Sequence, residues 1–337
     1  MSNVLIQPPQ PLNSEIKWTD AYDICRDPIE PFPWLVEGLI PRFGAGSFDG
    51  PPESGKTTFL TSLAICLANG GSSFFGMDAV EGPVVIIGGE KSSRGAWRRE
   101  FERLGKITRP DRFILPENDE PLFLWNRKND SWIKTKACNE VLSKIRAIKP
   151  VLVVMDTVMR ISMGVDEGKN TNQAQLGIEL DRFAKKASCF VLVVGHTNQS
   201  SMKEPLDWRL HYSARSGGNG LPGILRYCLA ATPLYPTDAP SVGLDETEIQ
   251  QKKFMAIAVS KGNEIPYRRW TRFKPGIFEI KPDGSLEKLD EINIQNREQG
   301  NNGKNKRNSV KKDPLQCGEP DEHEKGGKNG NDPFEGL

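Results

Sequence analysis

The chain has 337 residues, of which 37% are hydrophobic and 26% are charged, and its formal net charge is +1. These values are typical of a globular protein with a sizeable core, and the near-neutral balance excludes a global basic field for nucleic acid. No apolar run approaches the roughly 18 residues of a membrane span. Six scattered cysteines and three histidines give no zinc-site spacing, so we expect a soluble, cytoplasmic protein with free thiols.

The predicted elements begin with a proline-rich arm, residues 1–33, which contains one short helix near residues 19–25. An apolar lead-in at residues 34–42 precedes a short strand in "AGSFDG". The next stretch, "DGPPESGKTTFL", matches the pattern G-x-x-x-x-G-K-[ST] of a phosphate-binding loop. A helix with regularly spaced apolar residues follows and ends at Gly70.

This loop predicts a nucleotide site, although an ordinary glycine-rich turn is the alternative. Its glycines allow backbone N–H groups to surround phosphate oxygens at a helix N-terminus. We expect Lys56 to reach the β- and γ-phosphates and the Thr57 hydroxyl to bind Mg²⁺, which makes ATP and Mg²⁺ the predicted cofactors. The predicted cofactor-binding residues of the loop are Gly50, Pro51, Pro52, Glu53, Ser54, Gly55, Lys56, Thr57 and Thr58.

Three continuous apolar runs, at residues 83–90, 151–156 and 190–196, are typical of strands buried on both faces. Helical patterns separate them, one of them with Ser92 or Ser93 as its N-cap. This alternation predicts an α/β fold with a mainly parallel sheet covered by helices on both faces. Residues 252–261 and 276–280 are predicted to be further strands, nearer an edge.

Each of the three runs ends in a polar residue that can face the ligand crevice of such a sheet. Asp156 can hold the Mg²⁺ shell as a Walker B residue, or cap a turn. Glu90 can activate the water that attacks the γ-phosphate, or be a surface residue. His196, with Thr197 and Asn198, can sense the bound nucleotide and signal to the next loop, or be structural.

Several motifs together resemble the RecA-like hexameric ATPases, and among them the RepA-type replicative helicases of plasmids. The motifs are "GPPESGKTT", "PVVIIGGEK", "VLVVMDTVMRI", "VLVVGHTNQ", "SARSGG" with "GILR", and "AVSKGNEI", in the family's order. The lead-in "WLVEGLIPRFGAGSFDG" also fits the wider RepA-like AAA ATPase group. The resemblance covers residues 34–275 and implies a RecA-like P-loop core, which we expect to extend over residues 34–290.

The resemblance also implies roles for single residues. Glu90 becomes the catalytic base, and Arg226 takes the place of an arginine finger that reaches a neighbouring subunit's γ-phosphate. Arg215 and Lys261 match further basic positions near the same interface. The chain departs from the family at Lys91, where an acidic residue is common, and at Gly195, where a second histidine is frequent.

An arginine that acts in trans requires an oligomer, so the resemblance implies a homo-oligomeric ring, by analogy a hexamer. Two polar loops would face its centre, at residues 162–175 and 199–214. The second loop contains Lys203, Trp208 and Arg209, which supply the cations and the aromatic ring of a single-strand groove. A surface loop with solvated charges is the alternative.

The leading functional hypothesis is therefore an ATP-driven ring on single-stranded DNA, a replicative helicase of a plasmid, phage or mobile element. The alternatives are a RecA- or KaiC-like ATPase without unwinding activity and a nucleotide-switched factor that assembles or loads other proteins. A replication initiator or a primase is the expected partner for origin recognition and priming. We expect residues 291–337, rich in Gly, Asn, Lys and Asp, to be a disordered tail.

Overall fold

A computed structural model describes residues 19–88, 93–117, 120–164 and 169–289. The predicted base Glu90, most of the predicted N-terminal arm and the predicted tail at 291–337 lie outside the described residues. Among the helices of the described part, none combines the length and the apolar character needed to cross a membrane.

The helices of the described part include those predicted near residues 19–25, after the phosphate-binding loop and after Ser93, together with short ones that were not predicted. They are α1 (Ala21–Arg26), α2 (Lys56–Ala68), α3 (Arg94–Leu104), α4 (Lys136–Ile148), α5 (Val158–Ile161), α6 (Asn170–Ala187), α7 (Leu206–Arg209), α8 (Gly220–Ile224), α9 (Ala239–Val242) and α10 (Glu246–Gln251). Side-chain caps fix the starts of α3 and α4, because the hydroxyls of Ser93 and Thr135 accept from the N–H groups of Ala96 and Cys138. Ser93 is one of the two predicted caps.

The strands of the described part form one large sheet and three small ones. They are β1 (Trp34–Val36), β2 (Ile40–Pro41), β3 (Gly44–Asp49), β4 (Ser73–Phe74), β5 (Met77–Asp78), β6 (Val84–Gly88), β7 (Phe113–Ile114), β8 (Phe123–Asn126), β9 (Ser131–Lys134), β10 (Leu152–Asp156), β11 (Ser162–Met163), β12 (Phe190–Gly195), β13 (Tyr227–Pro233), β14 (Lys253–Gly262), β15 (Gly276–Ile280) and β16 (Leu286–Lys288).

The large sheet has the order β16-β15-β14-β13-β3-β12-β10-β6-β7. Neighbours from β13 to β7 pair in parallel, while β14, β15 and β16 pair antiparallel at one side. The predicted α/β fold with a mainly parallel sheet is therefore confirmed. The two later strands lie toward one edge, as predicted.

Alternate residues of the buried strands face two different cores, as the two-residue repeat of a strand requires. Val84 and Ile86 join a cluster under α2 and α3, whereas Val85 and Ile87 join a cluster under α4 and α6. Helices thus cover both faces of the sheet. Burial of each such Val or Ile side chain stabilises the fold by about 1.5–3 kcal/mol, so these runs hold the helices against the two faces of the sheet.

Three sequence predictions need correction. The strand β13 was not predicted, because "YCLAATP" lacks the β-branched run that marks the other strands. The polar loop predicted at 162–175 is shorter, because α6 already begins at Asn170. The loop predicted at 199–214 contains α7 and two 3₁₀ turns, Gln199–Lys203 and Tyr212–Ala214, so it is a folded segment.

Candidate active site

The phosphate-binding loop joins the end of β3 to the start of α2. Gly55, at the N-cap of α2, has a φ of 85°, and a Cβ there would lie 2.6 Å from Met255 Sδ. A Cβ at Gly50 would lie 2.5 Å from the carbonyl oxygen of Ala231. Glycine is therefore required at both positions by backbone conformation or by close packing.

Lys56 is folded back onto its own loop. Its ammonium donates to the carbonyl oxygens of Gly50 and Pro51, at 2.8 and 2.7 Å, and contacts Ser54 Oγ at 3.4 Å. Gly50 and Pro51 thus contact the lysine through their carbonyl oxygens. These three contacts hold the charge at the base of the loop while the side chain stays buried.

A cavity of about 250 Å³ opens above the loop. The order of the sheet explains its lining, because the carboxyl ends of β3, β12 and β10 meet at one edge. In register, Asp49 pairs with Gly195 and Asp156 with Gly88. The cavity is lined by Pro52, Glu53, Ser54, Gly55, Lys56, Thr57, Thr58, Asp156, Thr157, Val194, His196, Lys253 and Ile280.

His196 carries an unusual polar atom within this lining. Its Nδ1 is buried and has no hydrogen-bond partner among the residues that the structure describes. A buried polar group without a partner costs free energy, so the ring is ready to accept one from a ligand.

The residues present fit the phosphates of a nucleotide with a divalent cation. The first N–H groups of α2 have no acceptor within the helix, and its first turn contains no acidic residue. Glycines leave room above the loop, and a lysine, a threonine hydroxyl and a carboxylate line the same cavity. Oxygen donors of this kind are what Mg²⁺ prefers.

A family model described as "AAA domain" matches residues 9–202 of the chain. The chain belongs to the AAA domain family. With its phosphate-binding loop it is a P-loop ATPase of that family, and the family implies a bound nucleotide. A search of curated proteins finds no match. Among solved structures, a KaiC-like protein from Pyrococcus horikoshii OT3 is similar, with 16% identity over 76% of this chain and 94% of that one, and a TM-score of 0.46.

The cavity is also lined by residues that the sequence did not indicate. Thr157 follows Asp156 directly, and Lys253 and Ile280 come from the paired ends of β14 and β15. Thr157 could have been found from its position after the Walker B strand. Lys253 had no such signal, because its place depends on the antiparallel return of β14.

Arg215 does not line the cavity of its own chain, and its assignment to the nucleotide of a neighbouring subunit stays a prediction. Its Nη1 donates to Asp49 Oδ1 at 2.6 Å, and both side chains are buried. Lys261 also lies away from the cavity, where its ammonium donates to the carbonyl oxygens of Pro222 and Gly223, at 2.5 and 2.9 Å.

Arg226 lies at the amino end of β13, whereas the phosphate-binding loop follows the carboxyl end of β3. It immediately precedes β13, which runs parallel to β3. Its side chain is 68% exposed and pairs with Glu264 at 2.9 Å. Arg226 and Glu264 line a second cavity of about 810 Å³ near the start of β3.

The three residues predicted to contact nucleic acid have different surroundings. Lys203 is exposed and Trp208 is 53% exposed. Arg209 is only 2% exposed and forms a buried ion pair with Asp238. The prediction for Arg209 is therefore wrong, because a cation that is held inside the fold cannot reach a backbone phosphate.

Proposed function

We propose that the chain hydrolyses Mg–ATP as a homo-oligomeric ring and couples hydrolysis to movement along single-stranded DNA. The role that fits this activity best is a replicative helicase of a plasmid, phage or mobile element. The observation that carries the proposal is the cavity that joins Lys56, Thr57, Asp156 and His196 above the phosphate-binding loop.

The chain's own residues supply binding and positioning in this proposal. Lys56 exchanges its carbonyl partners for the β- and γ-phosphates, and Thr57 and Asp156 hold the Mg²⁺ shell. When bound, the cation neutralises charge that develops on the phosphates. Glu90 orients and deprotonates the attacking water. His196 offers its buried Nδ1 to the phosphate end of the ligand.

The position of Arg226 supports a site that is completed in trans. Tyr227–Ala230 of β13 pair in register with Gly46–Asp49 of β3, so four residues of β13 separate Arg226 from the level at which the chain's own loop begins. At a rise of about 3.3 Å per residue, that separation is roughly 16 Å. An arginine finger at this end serves only a neighbouring subunit, where it would stabilise transition-state charge.

Aromatic and cationic side chains near Trp208 support the choice of single-stranded nucleic acid. The Trp208 ring lies 5.8 Å from His211, and the His211 ring lies 4.2 Å from Tyr212. Close by, the Arg272 guanidinium lies 4.4 Å from the Phe273 ring, which is exposed. Burial lowers the pKa of His211, and the charge of Arg272 lowers it further. Exposed rings beside cations stack bases without sequence preference.

One observation favours the alternative, a nucleotide-switched factor that assembles or loads other proteins. Leu124 pairs with Ile133 across β8 and β9, and Met163 pairs with Leu124 across β11 and β8. All three side chains are exposed, so they form an apolar row on this small sheet, and its member Met163 follows Asp156 closely in the chain. Apolar rows of this kind suit protein partners.

Steady-state ATP hydrolysis, with and without single-stranded DNA, tests the proposal. We expect strong stimulation by DNA, and a loss of about 10²–10⁴-fold in Glu90→Gln if it removes a general base. Heparin serves as the control for polyanion charge alone. Slow hydrolysis that ignores DNA would favour the assembly factor, normal turnover in Glu90→Gln would rule out Glu90 as the base, and absence of hydrolysis would overturn both functions.

A further inference from the structure

A buried ion pair lies directly behind the phosphate-binding loop. Asp49 is the last residue of β3, and its carboxylate accepts from Arg215 Nη1 and from Ser47 Oγ, both at 2.6 Å. Burial raises the pKa of Asp49, while Arg215, Ser47 and Lys56 lower it in that order. The charges of Arg215 and Lys56 therefore act on one carboxylate.

Gly195 makes room for this ion pair at the end of β12. A Cβ at Gly195 would lie 2.2 Å from Asp49 Oδ1 and 2.7 Å from Arg215 Nη1. Either distance is well inside normal contact, so any side chain would displace the pair. Gly195 is also one of the two positions at which the sequence departs from the family that it resembles.

Backbone hydrogen bonds join the end of β12 to the phosphate-binding loop. The N–H of Gly50 donates to the carbonyl of Gly195 at 3.3 Å, and the N–H of Thr197 donates to the carbonyl of Gly50 at 3.4 Å. His196 lies between Gly195 and Thr197 and lines the cavity. A shift of His196 toward a ligand therefore acts on residues that are bonded to the loop.

The same strand end is bonded on its other side to residues 214–216. The N–H of Ser216 donates to the carbonyl of His196 at 2.7 Å, and the N–H of Asn198 donates to the carbonyl of Ala214 at 2.8 Å. These bonds close the base of the segment 198–214, which carries Trp208. The side chain of Arg215 then crosses back over Gly195 to Asp49.

We propose that Arg215 is a positioning residue, whose ion pair with Asp49 links segment 198–214 to the phosphate-binding loop. Occupation of the phosphate site changes the setting of Trp208 through this link. The inference rests on the proposed binding of ATP and adds to it a route by which the nucleotide controls a surface outside the cavity.

The pair can be removed without leaving a buried charge. A buried ion pair often contributes little to stability compared with a neutral pair of similar volume, whereas loss of one partner is strongly destabilising. The double variant Asp49→Asn with Arg215→Met is therefore the main test, and the two single variants are comparisons. Arg215→Lys keeps the positive charge and serves as the conservative variant.

The readout is the fluorescence of Trp208 when Mg²⁺ and ATPγS are added to the full chain. The chain has seven tryptophans, so the response of the same protein with Trp208→Phe is subtracted. Binding of a fluorescent ATP analogue is measured in parallel. We expect the double variant to bind nucleotide within about threefold of the parent and to lose at least about fivefold of the Trp208 response, the lower end of usual allosteric couplings.

The outcomes separate this inference from the proposed function. A reduced response in the double variant and a retained response in Arg215→Lys support the link. A full response in the double variant, or a parent that binds nucleotide with no response at Trp208, overturns the link and leaves nucleotide binding standing. A parent that does not bind nucleotide overturns both. A purely structural role would change only the unfolding midpoints, with the single variants lower than the double.

Discussion

Two neighbouring lysines at the start of β14 have different surroundings. Lys253 lines the cavity above the phosphate-binding loop. Lys252 does not, and its ammonium instead lies 3.1 Å from Glu248 and 3.4 Å from Glu279. At the scale of single residues, the two lysines offer a matched comparison, because they carry the same charge and are adjacent in the sequence.

We predict that Lys253→Ala raises the KM for ATP by about tenfold or less, because it removes one exposed charge-assisted contact to phosphate. The kcat should change little, since such a contact binds the ground state and the transition state equally. Lys252→Ala is the control and should leave both constants near those of the parent. Equal effects of the two substitutions would show that only overall charge matters at this edge.

At the scale of elements, α7 places two adjacent side chains in opposite environments. Arg209 pairs with Asp238, donates to the carbonyl oxygen of Pro233 at 2.9 Å, and lies 4.7 Å from the ring centre of Tyr235. Trp208 points outward. The buried contacts of Arg209 therefore fix the helix against the end of β13, and they hold the Trp208 ring in place.

We predict that Arg209→Ala lowers the free energy of unfolding by about 3–5 kcal/mol, because it leaves the Asp238 carboxylate buried without its partner. Trp208→Ala should change stability by only about 0.5 kcal/mol. It should weaken binding of single-stranded DNA by the equivalent of one stacked base, about 1–3 kcal/mol. Urea titration and fluorescence anisotropy at fixed salt measure the two quantities, and unchanged DNA affinity in Trp208→Ala would remove α7 from the DNA path.

The same elements show what the sequence can and cannot predict. Continuous apolar runs predicted β6, β10 and β12, because a strand that is buried on both faces needs apolar residues at nearly every position. The strand-end residues Asp156 and His196 followed from the same runs, and the loop followed from its own glycine and lysine pattern. No local pattern predicted the partners of Arg209 and Arg215, since Asp238 and Asp49 lie 29 and 166 positions away in the chain. A basic residue in a polar segment looks exposed until its partner is located.

At the scale of the whole molecule, one sheet carries two parts of the proposed catalytic site at opposite ends of its parallel strands. The phosphate-binding loop and Asp156 lie at the carboxyl ends of the parallel strands, and Arg226 lies at the amino end of β13. Head-to-tail association of identical subunits brings such unlike ends together and can close into a ring. Each completed site would then take its loop from one subunit and its arginine from the next.

This arrangement predicts complementation between two inactive variants. Lys56→Ala damages the loop of its own subunit but keeps Arg226, and Arg226→Ala does the reverse. Mixed in equal amounts and allowed to exchange, they should recover about a quarter of the parent's ATP hydrolysis, because about one interface in four then joins an intact loop to an intact arginine. Lys56→Ala mixed with Asp156→Asn is the control, since both lesions affect the same half of the site and no interface is restored. Absence of recovery in mixed rings, verified by mass spectrometry, would show that Arg226 does not act on a neighbouring subunit.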